Sequence, residues 1–280
     1  LAALDGVEVA DGRYEGTLTL QGAAPMALQA ALRGRIAAPM AEGTAPLVVL
    51  AQADVQGTLA QPDGRLSVQA RVTPEPGLAA DQGMRATLQA EIAPWATQPV
   101  RSAQAAFTQI DAARFWPGAP RTLLSGELQA GPRTPAAPDG ATLWQAQLAL
   151  RNAEPGPWDK GRLPVARIEA RVEQDGPHWV VPASSIEAGA GRIALQGRYS
   201  PAPTPWQIEA RVQGVRPALL YTGLDAAPVS GQVQAAQQGD TIRFDVGLKA
   251  APASGRPAGA LLGGLRIDEV LAQGQWQAPT

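Results

Sequence analysis

A two-residue hydrophobic period runs through almost the whole chain and leaves little choice of secondary structure. Side chains alternate faces along a strand, whereas a helix repeats every 3.6 residues. Ile168, Ala170 and Val172 alternate with Arg167, Glu169, Arg171 and Glu173. Ile242, Phe244, Val246 and Leu248 alternate with Arg243, Asp245 and Lys249, and Leu88, Ala90 and Ile92 with Thr87, Gln89 and Glu91. The same reading holds for Tyr14–Gln21, Leu28–Ile36, Leu47–Leu59, Leu66–Val72, Trp144–Arg151, Ile193–Tyr199 and Trp206–Gln213.

Turn-forming residues separate these runs. Pro62-Asp63-Gly64, Asp175-Gly176 and Gly239-Asp240 read as tight connections between antiparallel neighbours. Gly43–Pro46, Pro132–Gly140, Asn152–Pro164 and Ala251–Gly259 read as loops, and Leu261–Trp276 as one or two closing strands. About sixteen strands result, with Trp179–Val181 a short one. Nearly every strand has one apolar and one polar face, as antiparallel strands do when they meet water on one side. The expected fold class is all-β: an elongated, folded antiparallel sheet with an apolar interior, allowing one or two short helical turns.

An internal repeat is superposed on this pattern. Ile110–Ala130 aligns without a gap with Val215–Ala235 at an offset of 105 residues, Gly126 to Gly231. Ala113, Gly118, Ser125, Gly126, Gln129 and Ala130 recur as Ala218, Gly223, Ser230, Gly231, Gln234 and Ala235. Trp116 and Tyr221 keep aromatic character, and Phe115 and Leu220 apolar character. Asp111 is placed to cap a short helical turn that Pro117 ends. No reactive residue is shared by the copies, so the repeat reads as architecture, its turns letting the sheet cross over or restart. The chain is read as one continuous segment, 1–280, with repeats over about 104–130 and 209–235.

Composition narrows the function. The 30 glycines and 26 prolines suit many turns, and 13 aromatic residues leave an interior of Ala, Val, Leu and Ile. Lys and Arg number 23 against 25 Asp and Glu, scattered along the chain, which argues against nucleic acid as a partner. Cysteine is absent, which excludes disulfides and thiolate metal sites; an oxidising compartment and a cytosolic one are equally compatible. No initiator Met, signal peptide or apolar run near 18 residues is present, so the chain reads as an internal piece of a longer protein.

Site chemistry is not legible. His178, the one histidine, lies in Gly176-Pro177-His178-Trp179 and reads as structural or solvated. GxSxG, HExxH, a P-loop and a strand-borne GxGxxG are all missing, and Gly189-Ala190-Gly191 is a turn between strands. No catalytic, cofactor-binding or metal-binding residue is assigned, and the chain is read as a non-enzyme. Glu169 and Glu173 are members of an exposed face. The tryptophans at 95, 144, 158, 179, 206 and 276 border strands, and sheet-end packing explains them better than ligand anchoring.

Three local motifs carry a resemblance to a known family. One is the repeated small-Ser-Gly strand, Leu124-Ser125-Gly126-Glu127-Leu128 and Val229-Ser230-Gly231-Gln232-Val233. Another is Ile186-Glu187-Ala188-Gly189-Ala190-Gly191-Arg192-Ile193-Ala194-Leu195-Gln196-Gly197, a strand pair of the form apolar-x-A-G-x-G-x-apolar-x-apolar-x-G. The last is Pro205-Trp206-Gln207-Ile208, opening a strand just before the second repeat. In this order, over roughly residues 95–235, they resemble the TamB/AsmA-like family of envelope proteins in Gram-negative bacteria.

The resemblance implies a β-groove, apolar inside, in a periplasmic protein anchored to the inner membrane by a segment outside this chain. It implies phospholipid acyl chains as cargo and an outer-membrane TamA/BamA-type protein as partner, with a role in outer-membrane biogenesis and no cofactor. Combined with the alternation, it makes Leu32, Val68, Leu88, Leu148, Ile168, Val172, Leu195, Ile208, Val212, Val233, Phe244 and Val246 the lining of the groove. About sixteen strands stacked at ~4.8 Å would extend on the order of 75 Å. Small inward residues such as Ala30, Ala70, Ala90, Ala146 and Ala210 would leave width for a chain. Two other readings stand: a scaffold or chaperone for β-barrel and autotransporter assembly, and a carbohydrate-binding β-sandwich with a closed core.

Overall fold

The structure is a computed structural model and describes residues 11–23, 25–37, 48–75, 83–96, 99–115, 118–133, 143–175, 177–200, 206–224, 226–239, 241–251 and 268–277. The chain divides into two compact units, Leu1–Pro132 and Arg133–Thr280. The first contains β1 (Asp11–Gln21), β2 (Met26–Ala37), β3 (Val48–Leu59), β4 (Arg65–Pro74), β5 (Arg85–Ile92), β6 (Val100–Ile110) and β7 (Leu124–Pro132). The second contains β8 (Trp144–Asn152), β9 (Val165–Asp175), β10 (His178–Ala188), β11 (Gly191–Tyr199), β12 (Gln207–Val215), β13 (Val229–Gln238), β14 (Thr241–Ala250) and β15 (Glu269–Gln277). In each unit strands consecutive in sequence pair antiparallel, so both are open meanders. The all-β, antiparallel fold expected from the alternation is the fold observed, and its sheet is open.

Local chemistry explains the connections. Pro62-Asp63-Gly64 joins β3 to β4, with Gly64 N donating to Ala60 O at 2.7 Å. A two-residue turn at Gly189 (φ 54°) and Ala190 (φ 59°) joins β10 to β11, matching the right-handed twist of the paired strands. Trp179–Val181 is not a separate short strand. It continues to Ala188 through a bulge between Val181 and Ser184, where Ser184 Oγ accepts Arg171 N at 3.1 Å and donates to Pro182 O at 3.1 Å. The loop expected at Gly43–Pro46, all but the first residue of that at Ala251–Gly259 and most of Pro132–Gly140 lie outside the described residues. So do Trp116, Pro117, Gly176, Pro205 and Asp240, and the start of the closing segment at Leu261.

The repeat proves to be a matched pair of β-bulges. Phe107 lies opposite Gly126 and Ile110 opposite Leu124, so Thr108 and Gln109 together face Ser125. At the same offset Val212 lies opposite Gly231 and Val215 opposite Val229, so Gln213 and Gly214 face Ser230. Both bulges hold their second residue in the left-handed region, Gln109 at φ 52° and Gly214 at φ 63°. Each repeat serine satisfies the amide turned out of the ladder: Ser125 Oγ accepts Gln109 N at 3.0 Å and Ser230 Oγ accepts Gly214 N at 2.9 Å. The neighbouring Gly231 is required by close approach, since a Cβ there would run into the carbonyl oxygen of Gly247.

Each bulge leads into a 3-10 turn, Ala112–Arg114 and Pro217–Leu219, again 105 residues apart. Asp111 is the N-cap, its Oδ1 accepting Ala113 N at 3.2 Å and Thr122 N at 2.9 Å. These turns do not let the sheet cross over or restart. They join strands that pair directly, β6 with β7 and β12 with β13, because the bulge redirects the chain without breaking the ladder.

Among the described residues, the buried apolar side chains lie at or beside strand ends. In the first unit Val49 and Met84 are buried together, with Val72, Ile110 and Phe115 packed on them. In the second, Ala188, Val215, Pro217 and Val229 are buried near the β10–β11 and β12–β13 connections. A two-layer sandwich would instead bury the middle of its strands.

Candidate functional site: an uncovered apolar face

The registers align the alternating residues into rows that run across the strands. In the first unit one row is Gly16–Leu32–Ala53–Ala70–Leu88–Ala105–Leu128, crossing all seven strands. Beside it, Val68 sits between Val55 and Ala90. The larger side chains stand among alanines and glycines, which keeps the floor low and wide.

In the second unit a row crosses all eight strands: Leu150–Ile168–Ile186–Ile193–Val212–Gly231–Leu248–Val270. The next is Leu195–Ala210–Val233–Val246–Ala272, and the one beyond is Gly197–Ile208–Ala235–Phe244–Gly274. The Phe244 ring lies over Gly274, where a Cβ would meet Phe244 Cζ at 2.5 Å. Leu148 pairs with Ala170, and Val172 with Ala146. Of the twelve residues read as lining, Leu32, Val68 and Leu88 therefore share one face of the first unit. The other nine share one face of the second.

That face stays open to solvent. Leu32 is 47% exposed, Leu88 38%, Ile208 45% and Phe244 37%. Among the described residues at its register positions none is charged; polar side chains enter only at places such as Ser184 and Gln237. Leu18, Leu20 and Leu128 belong to the apolar face of the first unit and Trp276 to that of the second although they were not among the twelve, and the alternation was the signal that could have included them. Leu271, 72% exposed, lies instead on the opposite face, against Gly247.

The opposite face carries the charges. Arg167 and Glu169 pair at 2.5 Å, Arg171 and Glu173 at 2.5 Å, and Lys249 and Glu269 at 3.0 Å across β14 and β15. In the first unit Arg35 donates to both carboxylate oxygens of Glu75, at 3.1 and 2.8 Å. These hydrogen bonds hold Glu75 below the usual carboxylate range and raise Arg35. Exposed pairs of this kind contribute little to stability, and their service is to keep one face wet.

His178 and several of the tryptophans fall near strand ends. His178 Nδ1 is 2.7 Å from Ser200 Oγ, and Ser200 is buried. Trp144 and Trp206 stand at the starts of β8 and β12 and Trp179 lies within β10, whereas Trp95, Trp158 and Trp276 are about half exposed, so packing does not account for all six. The connection after β8 forms a 3-10 turn at Trp158–Lys160 and reaches the connection after β12. Trp158 N donates to Leu220 O at 2.8 Å, and Asp159 accepts Thr222 N at 2.9 Å and the Thr222 hydroxyl. The Thr222 hydroxyl and amide hold the Asp159 carboxyl below the usual range. This contact spans the ends of β9 to β12, about 14 Å of sheet at the usual strand spacing, and draws that rim of the unit together.

In each unit the arrangement offers hydrocarbon contact on one side and water on the other. No helix among the described residues is long and apolar enough to cross a membrane. Comparison with family models, with curated proteins and with solved structures yields no match for this chain.

Proposed function

We propose that the uncovered apolar face carries phospholipid acyl chains, and that the chain is a periplasm-spanning segment of a TamB-like envelope protein supporting outer-membrane biogenesis. The observation that carries this reading is an uncharged, partly exposed face, built from continuous rows across every strand of each unit, backed by an ion-paired polar face. Covering an acyl chain with such a face stabilises it by ~0.8 kcal/mol per CH₂ relative to water. Relative to a bilayer the same burial is close to neutral, so a chain is sheltered without being trapped. The anchor in the inner membrane and the TamA/BamA-type partner belong to the same proposal and rest on the family resemblance.

Photo-crosslinking residues at Ile168, Ile208 or Phe244 should capture phospholipid, and those at Arg167, Glu209 or Arg243 should not. Equal capture on both faces would sink the proposal. Capture of unfolded β-barrel protein in place of lipid would favour the scaffold reading.

A further inference from the structure

The apolar face of the second unit is not uniform. Where β10, β11 and β12 meet, a hollow of about 260 Å³ is lined by Val181, Leu195, Gly197, Tyr199, Trp206 and Ile208. Two features of the chain create it. The bulge between Val181 and Ser184 opens the pairing of β10 with β11, and Gly197, opposite both Val181 and Ile208, has no side chain to fill the gap. Tyr199 and Trp206 border it with aromatic rings, whereas the rest of the face is mainly aliphatic.

We propose that this hollow is a subsite for the methyl end of a single acyl chain. The proposal rests on the lipid-carrying reading above and adds a fixed position to it. The lining is almost wholly apolar, although Gln196 and Arg198, at the alternate positions of β11, also border the hollow, so a headgroup placed here would lose water for few partners. At ~30 Å³ for a group the size of water, the volume admits roughly nine methylene-sized groups. That suits about half of a common acyl chain and is too small for a whole lipid. A chain end seated here is held on several sides, whereas elsewhere on the face it is covered from one side only. The hollow thus gives the face a preferred stopping point and a sensitivity to chain length.

The test uses monomeric lysophosphatidylcholines with chains of about ten and about fourteen carbons, titrated into the protein and into variants of it. The wild-type protein should bind the longer chain at least about ten-fold more tightly, since the added methylenes reach the hollow. Val181→Phe, which fills the hollow, should cut that ratio to about three-fold or less. Leu195→Phe fills it from the neighbouring strand and serves if Val181→Phe fails to fold. Val233→Phe, elsewhere on the face, should leave the ratio as it is. A ratio that survives both filling variants overturns the subsite while leaving lipid binding by the face intact. Absence of binding by the wild-type protein to either chain overturns the subsite and the lipid-carrying reading together.

Discussion

The hydroxyl of Ser230 accepts the backbone N–H of Gly214 at 2.9 Å, which satisfies the amide that the bulge in the second copy of the repeat turns out of the ladder. Ser125 does the same for Gln109, and in both copies a 3-10 turn follows at the same distance along the chain. Replacing Ser230 with Ala should cost about 1 kcal/mol, the net worth of one intramolecular hydrogen bond. Ser230→Thr keeps the hydroxyl and should recover most of it. Amide exchange is the sharper readout: Gly214 should exchange faster in Ser230→Ala, with Val212 unaffected.

Thr122, buried in the first unit, secures the 3-10 turn that follows the bulge there. Its hydroxyl accepts Ala112 N at 2.8 Å and donates to Ile110 O at 3.1 Å, while its own amide is bound by Asp111. Thr122→Val preserves shape and leaves the Ala112 amide without that acceptor. A loss of about 1–3 kcal/mol is expected in urea unfolding.

The Asp159–Thr222 contact makes one rim of the second unit sensitive to acid. Because hydrogen bonding lowers the Asp159 pKa in the folded state, its contribution is fully present above the ordinary carboxylate pKa. It is lost as pH falls through the lowered value. Thr222→Val should move the Asp159 carboxyl titration, followed by carbon NMR, up toward the ordinary range. It should also flatten the acid limb of the stability curve.

An open face tolerates charge where a closed core does not. Ile208, on the apolar face between Gly197 and Ala235, is 45% exposed. Ile208→Glu should therefore cost about 1 kcal/mol or less in urea unfolding, within the usual span for partly exposed strand positions. A loss of several kcal/mol would mean that a second layer covers this face, as in a sandwich.

Much of this fold could be read from the alternation, because a period of two specifies both the strand and its faces. Ile242–Leu248 and Arg243–Lys249 fall on the sides the pattern assigns them. The bulges could not be read in the same way. Their presence depends on which residues lie opposite, so Ser125 and Ser230 stood out only as a repeated Ser-Gly pair of unassigned purpose. The link from Val181 to Ser184 was missed for a related reason: the bulge shifts the alternation there, and one strand reads as two. The contact of Asp159 with Thr222, 63 residues away, has no local signal at all. The hollow beside Gly197 needs the register of three strands before it can be seen.

The most direct test of the central claim is paramagnetic broadening of valine methyl signals by a phospholipid spin-labelled along its acyl chain. Val212, Val233 and Val246 share the apolar face, while Val180, opposite Glu173 and Arg198, lies on the other side of the same sheet. If acyl chains lie on the apolar face, the first three signals should broaden and that of Val180 should stay sharp. Equal broadening of all four, or none, would contradict the account.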